Sequence, residues 1–265
     1  MIICNVSRRS VSASPRFKET ERPRPPMNAT ADCQTTTVDP HRPRYAVYAM
    51  PAGEFADAGA AWLGWDARAG RQVAQPHLPG LPRPLSQLAL RAGRYGFHAT
   101  IKAPMALAGD CGYDDLRDQL RDLCGRLHPV EVTLELRDDL NFLAFRPAGG
   151  TGDLQDLAAT VVRDLDPLRA ELTEREITRR NPGALTPRQQ ELLVQFGYPY
   201  ALEEFNLHVT LTEQLADDER RVVRGVAEDF FAAKVPAPWR IDELCILAED
   251  AQGRFHLRDC CPLKG

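Results

Sequence analysis

Two short stretches of the chain carry the same arrangement of imidazole and hydroxyl groups. The first reads Phe97-His98-Ala99-Thr100-Ile101-Lys102 and the second Leu207-His208-Val209-Thr210-Leu211-Thr212. In each, polar and apolar residues alternate, the pattern of a half-buried strand. Side chains two apart on a strand share a face, roughly 7 Å from one another. His98, Thr100 and Lys102 are therefore expected to share one face, with Phe97, Ala99 and Ile101 in a core behind them. His208, Thr210 and Thr212 are expected to do the same on the second strand. With six His and 14 Thr in the chain, about 0.3 His-x-Thr matches arise by chance. A lone match reads as an ordinary half-buried histidine; two on matching strands reverse that reading.

Imidazole takes or gives a proton near pH 7. Two polar strand faces opposed across one cleft would set one imidazole on each side of a bound group. A phosphodiester needs that pair: a base for the attacking water and an acid for the departing oxygen. Thr100 and Thr210 can donate to non-bridging phosphate oxygens. Lys102 would add a positive charge there, and Thr212 lies on the same predicted face. This chemistry requires no metal, and neither a metal site nor a cofactor is assigned. Which histidine is acid and which is base stays open.

The elements around the motifs follow from periodicity. Residues 44–50 and 97–101 read as strands, and 54–65 as a helix with Gly59 inside it. Residues 76–84 hold four prolines and read as loop, followed by a short helix over 85–92. Leu116, Leu120, Leu123, Cys124 and Leu127 mark an amphipathic helix over 114–127. Residues 130–136 and 142–146 form a predicted hairpin. A helix over 153–172 is expected to kink or divide at Pro167. Thr186 and Pro187 open another helix as N-cap and first helical residue. Strand 205–212, helix 217–233 and a hairpin over 241–248 and 254–259 complete the chain. The resulting order, β-α-β-α-β-β-α-α-β-α-β-β, suggests two related lobes. Hairpins argue for antiparallel or mixed sheets over a Rossmann sheet.

Composition divides the 265 residues unevenly. The formal charge of −4 is the sum of two unlike parts. Residues 1–44 hold eight Lys/Arg against four Asp/Glu, a charge of +4, while 45–265 hold 25 against 33, or −8. The first 44 residues contain one aromatic, Phe17, and six of the 21 prolines. Such a segment buries too little surface to offset chain entropy. It reads as a disordered or wrongly assigned N-terminal extension, with Met27 a later candidate initiator. Its arginines follow its few apolar residues, the wrong order for a signal peptide. Residues 45–265 read as one acidic body, which disfavours a nucleic-acid coat. No run of about 18 apolar residues occurs. The seven cysteines are irregularly spaced, without a Cys-x-x-Cys pair, and read as reduced thiols of a cytoplasmic protein.

The paired His-x-Thr strands resemble the 2H phosphoesterase superfamily, which includes bacterial RNA 2′,3′-cyclic phosphodiesterases, also called 2′-5′ RNA ligases. A closer resemblance, to the branch found with phosphonate-utilisation operons, covers most of the body. It is carried by Arg44-Tyr45-Ala46-Val47-Tyr48-Ala49-Met50, Ala61-Trp62-Leu63-Gly64-Trp65-Asp66 and Tyr95-Gly96-Phe97-His98-Ala99-Thr100-Ile101-Lys102-Ala103-Pro104. Leu185-Thr186-Pro187-Arg188-Gln189, Gly197-Tyr198-Pro199-Tyr200 and Glu204-Phe205-Asn206-Leu207-His208-Val209-Thr210-Leu211-Thr212 extend it. That branch lacks a counterpart of residues 1–44. The resemblance implies an α+β fold of two pseudo-symmetric lobes, with antiparallel or mixed sheets lining a central cleft and helices outside. It implies metal-independent chemistry by His98 and His208, with Thr100 and Thr210 holding phosphate. The implied substrate is a small phosphorylated metabolite, such as a ribosyl cyclic phosphate.

Other features are weaker. Tyr198 and Tyr200 precede the second motif and are candidate substrate contacts, or aromatic packing around a proline turn. Arg179-Arg180 could meet a second phosphate, though a solvated helix end is the plainer reading. Tyr48 could face the cleft or pack. Gly149-Gly150-Thr151-Gly152 reads as a flexible turn, since no Lys follows in P-loop spacing. His77, His128 and His256 are assigned no role. Two rival functions remain: an RNA 2′,3′-cyclic phosphodiesterase or 2′-5′ ligase, less favoured by the acidic body, and a noncatalytic nucleotide- or phosphosugar-binding module. No membrane contact is expected, and the chain is expected to be a monomer.

Overall fold

The computed structural model describes residues 42–139 and 141–265. Residues 1–41, nearly all of the predicted extension, lie outside the described residues. The strands in chain order are β1 (Arg44–Ala49), β2 (Trp65–Asp66), β3 (Arg71–Gln72), β4 (Ala99–Ala106), β5 (Val130–Val132), β6 (Leu134–Arg137), β7 (Ala144–Pro147), β8 (Val209–Thr210), β9 (Trp239–Ile241), β10 (Glu243–Glu249) and β11 (Phe255–Pro262). The α-helices are α1 (Gly53–Leu63), α2 (Leu85–Leu88), α3 (Ala92–Tyr95), α4 (Tyr113–Cys124), α5 (Gly152–Leu165), α6 (Glu174–Arg179), α7 (Pro187–Phe196) and α8 (Asp217–Phe231).

Seven strands join in one antiparallel sheet in the order β11-β10-β1-β4-β8-β7-β6. The strand of the first motif, β4, and that of the second, β8, are neighbours at its centre. Each motif strand is flanked by a hairpin from elsewhere in the chain: β10-β11 reaches β4 through β1, and β6-β7 packs on β8. The fold is α+β, with the predicted hairpins present. Two ribbons, β2-β3 and β5-β9, stand apart from this sheet.

One face of the sheet is covered by helices. Phe55 and Trp62 of α1, Leu116 and Leu120 of α4, Leu154 and Val161 of α5, and Val223 and Phe231 of α8 pack on Val47, Ala99, Ile101, Phe145, Val209 and Ile246. Burying each large apolar side chain contributes about 1.5–3 kcal/mol. The opposite face carries a smaller cluster under β1 and β10, including Tyr48, Trp65, Cys245 and Phe255. The alternation along β4 and β8 therefore separates a helix-covered face from the face that bears the polar motif residues.

Several boundaries differ from the sequence reading. The strand β1 begins at Arg44, as predicted, although charge groups that residue with the extension; its guanidinium forms a two-bond ion pair with Glu249 of β10 at 2.6 Å. The predicted strand 130–136 divides at Thr133: β5 pairs with β9, whereas β6 pairs with β7. The strand predicted at 241–248 likewise changes partner at Asp242. Helix α5 stops at Leu165, and Pro167 sits in a 3-10 turn over Asp166–Leu168, the division that its missing N–H implies. Helix α6 lies outside the expected elements, yet its signal is present: Thr173 and Glu176 form a capping box. Thr186 and Gln189 form another at α7, at the predicted helix start. Among the described residues no helix is long and apolar enough to cross a membrane, and the five described cysteines are free thiols.

Candidate active site

Two glycines prepare the first motif. In α1, a Cβ on Gly59 would lie 2.1 Å from the Phe97 ring. Glycine inside a helix costs about 1 kcal/mol relative to alanine; here it admits the ring that anchors the motif in the core. Gly96 adopts a φ of +80°, and a Cβ there would meet Ala67 at 2.5 Å. This backbone turns the Gly96 carbonyl back onto the motif, where it accepts a hydrogen bond from His98 Nδ1 at 2.9 Å.

The second motif repeats the device. His208 Nδ1 donates to the Asn206 carbonyl at 2.8 Å. A carbonyl can only accept, so each Nδ1 carries the proton and each neutral Nε2 carries an acceptor lone pair. The Thr100 hydroxyl lies 3.1 Å from His98 Nε2 and donates to it in that state.

Register brings the four motif side chains onto one patch. Ala99 is paired with Val209, both in the helix-covered core. His98 is then beside Thr210 and Thr100 beside His208 on the opposite face. The histidines occupy one diagonal of this square and the threonines the other. Diagonal neighbours on such a face are about 7–8 Å apart, a spacing that fits one phosphate between two imidazoles. All four residues are half-buried. The strands stand side by side in one sheet, whereas the sequence reading pictures two faces opposed across a cleft.

The register also supplies residues that the motifs do not name. Tyr48 is paired with Thr100 and stacks on His98, ring centroids 3.6 Å apart. It is fully buried, and its hydroxyl has no hydrogen-bond partner. Arg146 follows Phe145, which is paired with Val209, so Arg146 lies beside His208 on the open face. Its Nη1 donates to Asp139 at 2.6 Å. No local motif marks Arg146; the hairpin alternation is its one available signal.

Two predicted contacts are corrected. Lys102 does not share the face of His98 and Thr100. A β-bulge between Tyr48 and Val47 pairs Val47 with Lys102, which turns the lysine to the helix side. There it is buried, and its Nζ donates to the Val162 carbonyl at 3.2 Å and to Asp166 at 3.4 Å. Burial lowers its pKa to about 8, with Asp166 opposing the shift. Thr212 is also buried, and its hydroxyl oxygen accepts from the Leu143 N–H at 2.9 Å. The strand ends at Thr210, so alternation does not carry Thr212 to the open face. Tyr198 and Tyr200 pack edge to face with each other, and the Arg180 guanidinium sits 5.7 Å from the Tyr198 ring centroid. Tyr198 is half-buried and Tyr200 exposed.

Burial lowers the His98 pKa from the usual 6.5 to about 4; the Gly96 carbonyl opposes this and nearby His208 adds to it. Burial also lowers the His208 pKa, with the Asn206 carbonyl opposing and Arg146 reinforcing. Both imidazoles are therefore neutral near pH 7 in the unliganded protein, each with Nε2 able to accept a proton. Among the described residues, one cluster has metal-ligand chemistry: Glu243, Cys245 and Cys260. It contains neither motif histidine, and Arg68 donates to Glu243 within it at 2.9 Å.

The profile of the family described as "Protein of unknown function (DUF1045)" matches residues 100–256. The chain belongs to the DUF1045 family. The DUF1045 match takes in Thr100, Arg146, His208 and Thr210, and begins two residues after His98. Two similar curated proteins are both called "Ribose 1,5-bisphosphate phosphokinase PhnN". That of Janthinobacterium sp. (strain Marseille) is 38% identical over 218 residues, 79% of this chain and 48% of the relative. That of Laribacter hongkongensis (strain HLHK9) is 37% identical over 174 residues, 65% of this chain and 40% of the relative. This DUF1045 chain thus spans about half the length of the curated relatives it matches. Among solved structures, E. coli LigT complexed with NADP+ is 15% identical, with a TM-score of 0.40, covering 85% of this chain and 99% of LigT. TT0787 of Thermus thermophilus is 15% identical, with a TM-score of 0.42, covering 84% of this chain and 98% of that protein.

Proposed function

We propose that the chain is a phosphodiesterase that opens the cyclic phosphate of a small phosphorylated sugar by two-histidine acid–base catalysis. One observation carries the reading: His98 and His208 stand diagonally on one open sheet face, both with Nδ1 tied to a carbonyl. That leaves two Nε2 atoms for one phosphate. The arrangement agrees with the resemblance to 2H phosphoesterases.

In the proposed reaction a water oxygen bonds to phosphorus as its proton passes to one imidazole. The ring P–O bond breaks, and the other imidazole, protonated when the anionic phosphate binds, gives its proton to the departing sugar oxygen. Burial lowers the pKa of both imidazoles, to about 4 for His98, so the one that serves as acid acquires its proton with the bound phosphate. Thr100 and Thr210 donate to non-bridging oxygens, and Arg146 adds positive charge beside His208. No step draws on a metal.

The names of the curated relatives narrow the substrate. Opening a ribosyl 5-phosphate 1,2-cyclic phosphate at its 2-oxygen yields ribose 1,5-bisphosphate, the compound in the name those relatives carry. On this reading the chain acts one step before such a kinase, in phosphonate metabolism. The chain has no Gly-x-x-x-x-Gly-Lys-Ser/Thr loop, so no P-loop kinase activity is assigned to it.

Chelator-treated protein should turn over the ribosyl 1,2-cyclic phosphate faster than RNA bearing 2′,3′-cyclic ends. Absence of turnover on every cyclic phosphate would overturn the reading. Saturable binding without turnover, unaffected by His98→Ala and His208→Ala, would make the chain a binding module instead.

A further inference from the structure

Beside His208, on the side away from Tyr48, two arginines meet a cavity. We propose that this cavity is a subsite for a second, terminal phosphate monoester of the substrate. The assignment presupposes the ring-opening reaction above and adds where the far end of the sugar is held.

Three observations converge there. The register places Arg146 beside His208, and Arg137 beside Ala144, which is itself paired with Thr210. Ala144 between them is small and covered, and the Phe142 ring on the same strand face stands 6.1 Å from His208. Next to these side chains lies a cavity of about 150 Å³ whose lining includes Arg137, Arg146, Gly149, Thr151, Asn206 and Leu207. Water in the liquid occupies about 30 Å³ per molecule, so a phosphoryl group fits. Asn206 and Leu207 lead directly into His208, which makes the cavity continuous in sequence with the site.

The donors at this cavity are partly uncommitted. Arg146 uses Nη1 for Asp139, which leaves its Nε and Nη2 edge to receive two phosphate oxygens. Arg137 engages Glu135 through Nε and Nη2 and keeps Nη1. Both carboxylates are largely exposed, at 50% and 42%, so solvent screens each pair. A phosphate dianion can therefore join or displace them. The Thr151 hydroxyl makes no capping bond to α5, and a Cβ on Gly149 or Gly150 would meet nothing within 4 Å. The chain that reads as a plain turn thus leaves room for an anion. Guanidinium forks match the geometry of a terminal phosphate. Neighbouring strands lie about 4.8 Å apart, so a pentose reaching from the histidines meets Arg146 one strand over, with Arg137 on the strand beyond it.

Two measurements test the subsite. The first compares kcat/KM for ribosyl 1,2-cyclic phosphate with and without a 5-phosphate. Wild type should prefer the 5-phosphorylated form more than tenfold, and Arg137→Met should reduce that preference at least fivefold. An undiminished preference, or none in wild type, would overturn the subsite. The second is calorimetric binding of ribose 5-phosphate, which needs no turnover. Arg137→Met and Thr151→Val should each weaken it several-fold, while His98→Ala should not. Weakening of ribose 5-phosphate binding in a protein inactive on all cyclic phosphates would uphold the subsite and reject the reaction. Binding unchanged in both variants would reject the subsite whatever the activity.

Discussion

Tyr48 lies nearly flat against His98, ring centroids 3.6 Å apart and planes 21° apart. Pairing sets Tyr48 beside Thr100, so its ring leans diagonally across β4 to cover the imidazole. That cover removes water from one side of His98, in keeping with burial as the main cause of its lowered pKa. The phenol itself carries an unpartnered hydroxyl in a fully buried position.

We predict that Tyr48→Phe stabilises the unliganded protein by about 1 kcal/mol, because it deletes a buried polar group with no partner. Urea unfolding of the two proteins measures this. A clear loss of stability would show that the hydroxyl is paired in solution.

Alanine at His98 or His208 should lower kcat on a cyclic phosphate about 10²–10⁴-fold, the usual worth of a positioned acid or base. Circular dichroism should not change, since both side chains are half-buried on the open face. A variant that retains more than a tenth of the wild-type kcat would remove that histidine from the mechanism.

The lowered pKa of His98 has a sign that unfolding can read. Between about 4 and 6.5 the unfolded chain binds a proton at this residue and the folded chain does not. Stability should therefore fall as pH drops from about 6.5 towards 4, by on the order of 2 kcal/mol after allowing for partial exposure. His98→Gln should flatten this part of the Tm–pH curve. Parallel curves for the two proteins would contradict the shift.

Lys102 offers a test of orientation. On the helix side it holds Val162 and Asp166, and Asp166 keeps Arg169 at 2.8 Å without it. Lys102→Met should leave kcat/KM within about threefold, as replacing a buried charge by an apolar side chain of similar volume is often tolerated. A hundredfold loss in a folded variant would return Lys102 to the substrate.

The sequence reading succeeds where alternation is unbroken and both faces have distinct partners. Phe97, Ala99 and Val209 can only be core, so His98, Thr100, His208 and Thr210 have to face away. It fails at Lys102 because a bulge inserts one residue without any mark in the local pattern. It fails at Thr212 because the strand stops after Thr210, where Leu143 supplies a partner from another part of the chain. Arg146 and Tyr48 join the site only through register between strands far apart in sequence, which no local spacing encodes. The capping box at Thr173 is legible by type and spacing, but it opens a polar stretch with no apolar periodicity to draw the eye to a helix.

Strand β8 is two residues long, and Ala99 opposite Val209 is the one residue pair that joins it to β4 among the described residues. Around that seam, the Trp62 indole donates to the Leu211 carbonyl and the Leu211 N–H to the Leu143 carbonyl. Neither side of the sheet at this seam holds more than one of the two proton carriers. Loss of turnover should thus precede global melting on gentle denaturation, and catalytic output becomes a sensor of whether the two halves remain stitched together.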